Sequence, residues 1–111
     1  MISYQEKTAI SNALSKGIAV HPSANIENLT LKIWENISSI PYPVECNFNI
    51  MGNSSIVNII SEKGDVVLVA KIDRNSIEFS LPFSTQDMSR DDSVAVTFSV
   101  MSIIGALNDK I

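Results

Sequence analysis

Apolar residues along the chain keep two different rhythms, and each predicts a different kind of element. Near the start, Ala9, Ile10, Ala13 and Leu14 recur at helical spacing. Ser3-Tyr4-Gln5-Glu6 reads as a capping box before them, and Gly17 after Lys16 is a suitable stop. A short apolar link, Ile18-Ala19-Val20, then runs into His21-Pro22-Ser23, which breaks regular structure. The next stripe is stronger. Ile26, Leu29, Ile33, Ile37 and Ile40 lie on one helical face, with Asn25 as N-cap and Pro41 and Pro43 as the stop. Leu31 and Trp34 fall off that stripe, so this second helix carries another apolar patch.

From residue 44 to about 83 the period becomes two. Val44, Cys46, Phe48 and Ile50 alternate with Glu45, Asn47 and Asn49. Gly52-Asn53, Lys63-Gly64-Asp65 and Asp73-Arg74-Asn75 supply turns, and Pro82 ends the run. Connections this short predict a four-stranded antiparallel meander. Phe48, Leu68 and Phe79 are in phase to share its inner face. On the other face, the middle strands would show Ile56, Ile60, Val67 and Val69, a greasy strip that needs a cover.

The stretch from Ser93 to Asn108 carries no charge at all. Val94, Val96, Phe98 and Val100 alternate as in a strand. Asp91 and Asp92 before the stretch and Lys110 after it suit the two ends of a helix. Its length favours a helix, with a fifth strand as the alternative. If helical, it has apolar residues around most of its circumference: Val94, Phe98, Met101 and Leu107 in one sector, Val96, Val100 and Ile103 in another. One sector can pack on the sheet, which leaves the other for a second chain. The expected fold is therefore α+β, one domain over residues 1–111: two N-terminal helices, the meander and the apolar C-terminal segment.

Composition narrows the function classes. Eight basic and twelve acidic residues give a net charge of −4. The basic residues are scattered singly, so no patch could neutralise a run of phosphates, and nucleic acid is not an expected partner. The uncharged stretch is shorter than the roughly 18 to 20 residues of a membrane span and contains Ser and Thr. No apolar secretory core opens the sequence. A cytoplasmic location is the expectation. Cys46 is the single cysteine, which rules out an intrachain disulfide and a cysteine-built zinc site.

Candidate chemistry is sparse. Cys46 and His21 are the one available nucleophile and base, but Cys46 lies on the apolar side of its strand. Asp87, Asp91 and Asp92 cluster without the ligand spacing of a calcium loop. Glu45 and Glu78 project from different strands, about 14 Å apart in a meander, too far for paired-carboxylate hydrolysis. No glycine-rich phosphate loop is present. The sequence thus points away from catalysis and cofactors and toward a small acidic protein-binding module of bacterial or phage type. Adaptors, inhibitors, immunity proteins and chaperones share that composition and architecture. A homodimer is expected, with Leu31, Trp34, Ile56, Ile60, Val67, Val69, Val96, Val100 and Ile103 as the contact set. The alternative is a small-molecule carrier or sensor with an apolar pocket between sheet and helices.

Overall fold

The computed structural model describes residues 4–21, 23–82 and 89–108. Along the chain run α1 (Tyr4–Lys16), β1 (Ile18–Ala19), α2 (Ile26–Ser38), β2 (Val44–Met51), β3 (Ser54–Ser61), β4 (Val66–Ile72), β5 (Ser76–Ser80) and α3 (Arg90–Asn108). The strands form one antiparallel sheet in the order β1-β5-β4-β3-β2. The expected α+β fold and meander are present. The fifth strand comes from the Ile18–Ala19 link, which pairs with Ile77 and Ser76, while the C-terminal segment is a helix.

Local chemistry explains the boundaries. Asn25 caps α2 by accepting from the Asn28 amide at 2.9 Å. Ser89 does the same for α3, its Oγ accepting from the Asp92 amide at 3.1 Å, with Asp91 and Asp92 in the first turn. The box proposed for α1 rests on Ser3, which lies outside the described residues. Asp73 holds the last hairpin: its Oδ1 accepts from the amides of Asn75 and Ser76 at 2.8 and 2.9 Å. Those two amide bonds hold its carboxyl below the usual range.

All three helices cover one face of the sheet, with α3 running between α1 and α2. Pairing puts Val57, Ile59, Leu68, Ala70, Ile72 and Ile77 on that face, and each is fully buried. From the helices come Ile33, Ile37, Val100 and Ile103. Phe48 and Phe79 share the face as their phase predicts, but they sit half-buried at its margin. One polar link crosses the core. Thr30 Oγ1 donates to the Ile26 carbonyl at 2.7 Å and lies 2.6 Å from Ser55 Oγ, which must then donate to it.

Val67 departs from the predicted alternation. The β3–β4 register shifts between Ile59, opposite Leu68, and Ile60, opposite Val66. Val67 is the extra residue of a β-bulge and is fully buried in the core rather than exposed on the outer face.

Ser99, on the buried side of α3, has an Oγ with no partner among the described residues. A buried hydroxyl left without a bond costs about 1 to 3 kcal/mol. Ser99→Ala is therefore expected to stabilise the protein by about 1 kcal/mol. Urea unfolding measures this, and a clear loss of stability would show that the hydroxyl is satisfied.

Candidate binding surface

Among the described residues, no helix lies on the outer face of the sheet. Three cross-strand rows lie on it: Asn49, Ile56, Lys71, Glu78; then Asn47, Asn58, Val69, Ser80; then Glu45, Ile60, Val66. The aliphatic members all come from β3 and β4. Ile56, Ile60, Val66 and Val69 are half-buried by their neighbours in the sheet, yet none packs on the core. Amides border them, with Asn58 Nδ2 donating to Asn47 Oδ1 at 3.0 Å. The strip is the one that the sequence alternation anticipates, with Val66 in place of Val67. The β-bulge makes that exchange, and the sequence does not announce it.

A second apolar patch lies on α2 beside the edge strand β2. Leu31 is 41% exposed and Trp34 40%. The Trp34 ring stands edge-on to Phe48, with centroids 6.4 Å apart, and its Nε1 donates to the Cys46 carbonyl at 3.1 Å. Trp34 is therefore partly a structural clasp between helix and sheet. Met51, at the end of β2, is 53% exposed and was not singled out from sequence.

The tail does not form the predicted contact surface. Val96, Val100 and Ile103 are buried in the protein's own core, because α3 is wedged between α1, α2 and the sheet. The opposite sector is half-covered too. Phe98 stacks on Tyr42 at 6.1 Å, and the Tyr42 hydroxyl donates to the Asp91 carbonyl at 3.0 Å. Of the expected contact residues, Leu31, Trp34, Ile56, Ile60 and Val69 remain at the surface. Val67, Val96, Val100 and Ile103 do not.

The space between sheet and helices is occupied by side chains such as Ile33, Ile37, Ile59 and Leu68. A cleft of about 590 Å³ lies elsewhere, where the start of α2 meets the Gly52-Asn53 and Arg74-Asn75 turns. Asn25, Glu27, Asn53, Arg74 and Asn75 make it polar, unlike the apolar pocket expected of a carrier.

Cys46 and His21 do not meet. Cys46 is on β2 and His21 follows β1, at opposite edges of the sheet. Burial pushes the Cys46 thiol up to about 11, and His21 Nδ1 lies 2.7 Å from Ser23 Oγ. Glu45 and Glu78 lie in different rows, three strand spacings apart. Asp87 lies outside the described residues. Among the described residues no group of three His, Cys, Asp or Glu is placed to hold a metal ion. No helix among them is long and apolar enough to cross a membrane. Comparison with protein families, with curated proteins and with solved structures gives no match to the chain.

Proposed function

We propose that this chain is a protein-binding module, acting stoichiometrically as an adaptor, inhibitor, immunity protein or chaperone of bacterial or phage type. One observation carries the reading: Ile56, Ile60, Val66 and Val69 line the centre of a sheet face that no part of the described chain covers. Burying apolar surface yields about 25 cal/mol per Å², and a strip flanked by amides and few charges suits the centre of a protein interface. Catalysis is no part of this function, because the thiol and the imidazole are separated by the width of the sheet. A lone free thiol fits a reducing cytoplasm. Self-association belongs on this outer face rather than on α3, two sheets stacking about 10 Å apart.

Val69→Glu tests the reading, since it puts a charge at the centre of the strip while leaving the core intact. Wild-type and variant proteins with matched melting curves are used to capture partners from cells of the native host. A stoichiometric protein retained by wild type and lost by the variant supports the proposal. Equal retention by both, or no such protein, rejects it. Sedimentation at micromolar concentration shows whether the partner is a second copy.

A further inference from the structure

The edge of β2, which pairs with no other strand among the described residues, offers a more specific site, and which backbone groups it presents follows from its hairpin. Met51 and Ser54 close a two-residue turn in which Gly52 has φ +62° and no non-glycine residue has positive φ. This is a type II′ hairpin, whose closing pair exchanges both backbone bonds. Alternation along the ladder then points the N–H and C=O of Met51, Asn49, Asn47 and Glu45 toward β3. Those of Ile50, Phe48, Cys46 and Val44 point out of the sheet. Trp34 corroborates this independently, because its indole reaches the Cys46 carbonyl from outside. The Val44 amide turns back to the Tyr42 carbonyl at 2.8 Å. The Cys46 amide and both groups of Phe48 and Ile50 have no partner among the described residues.

Building on the protein-binding reading, we propose that this edge receives an extended segment of another protein as an added strand. Three features specify the occupant. Unpaired backbone donors and acceptors at strand spacing are matched by another strand. The flank of α2 above the edge carries Glu27, Leu31, Trp34 and Ser38 at i, i+4, i+7 and i+11, so it is apolar and acidic. Glu45 is the one charge on β2 itself, and Lys32, the basic residue of α2, stands two positions before Trp34 and so on another side of the helix. The incoming strand therefore carries apolar side chains toward Leu31, Trp34 and Phe48, and Lys or Arg on its other face near Glu45.

A second copy does not fit this edge. A twofold-related copy would pair its β2 antiparallel to this one and bring a second α2, with its own Glu27, onto the same face. A second chain with net charge −4 also repeats the acidic rim rather than complementing it. Trp34 sets a limit as well, since its hold on Cys46 confines pairing mainly to Phe48 and Ile50.

The test uses random peptides displayed on phage and selected against the full chain. Selected peptides are expected to alternate apolar residues with polar or basic ones. At saturation they should slow exchange of the Phe48 and Ile50 amides by about tenfold or more. Ile50→Pro removes a donor that points out of the sheet, a position where an edge strand tolerates proline. It should weaken binding about tenfold, the worth of one hydrogen bond, with an unchanged circular dichroism spectrum. If that variant melts, amide protection in the wild type alone decides. No enrichment, or binders that leave both amides unprotected, overturns the proposal. Binders that contact Ile56 and Val69 instead overturn the edge assignment while leaving the protein-binding reading intact.

Discussion

Val100→Glu should leave the chain unfolded. Val100 is fully buried in α3 and sits between the flanking helices and the sheet, among Val96 and Ile103. A carboxylate there would meet no basic partner, because the basic residues of the described chain are all on the surface or its margin. An uncompensated buried charge costs about 3 to 5 kcal/mol, and lost packing adds to it. Domains of this size are stable by about 5 to 15 kcal/mol, so little or no folded protein should remain. Circular dichroism and amide dispersion measure this directly. The comparison is Ile56→Glu on the outer face, expected to cost about 1 kcal/mol or less because no core contact is lost. A Val100→Glu protein that stayed folded as a monomer would mean that α3 packs more loosely than described.

Gly17→Ala is the second large effect, for two separable reasons. Gly17 ends α1 with φ +75°, its amide bonding back to the Ala13 carbonyl at 2.8 Å. A residue with a Cβ in that conformation costs about 1 to 2 kcal/mol. In addition, the Cβ would lie 2.6 Å from the Ile77 carbonyl oxygen, a backbone atom in the strand that pairs with β1. Relief would require opening the β1–β5 pairing or shifting α1. The combined cost is expected to be about 3 kcal/mol. Gly64→Ala isolates the first part, since Gly64 has φ +92° but open space around its Cβ position. If urea titration shows equal losses for both, the close approach to Ile77 contributes nothing.

Long periodic elements were legible in the sequence. The isoleucine stripe and the Asn25 cap define α2, and the meander follows from three short turns between alternating runs. Two kinds of information were not legible. Ile18–Ala19 is too short to have a period, so only its partner, Ile77, reveals it as a strand. The bulge at Val67 is a mismatch between two strands and cannot be read from either alone. The tail was ambiguous because Val94, Val96, Phe98 and Val100 alternate, but the Ser89 cap and burial on several sides favour a helix. For the candidate surface, alternation identified Ile56, Ile60 and Val69. It could not show that one subunit suffices to bury Val96, Val100 and Ile103, because that depends on α3 being the middle helix of three.

The position of α3 in chain order has a consequence for biosynthesis. The meander is complete at Ser80, yet the segment that fills its inner face, Arg90–Asn108, follows it off the ribosome. At about 5 to 20 residues per second, the sheet waits on the order of seconds for that helix. Over that interval the part of β3 and β4 that α3 covers lies bare on the nascent chain. During synthesis both sides of the same sheet are adhesive, and only the inner one is later closed by the protein itself.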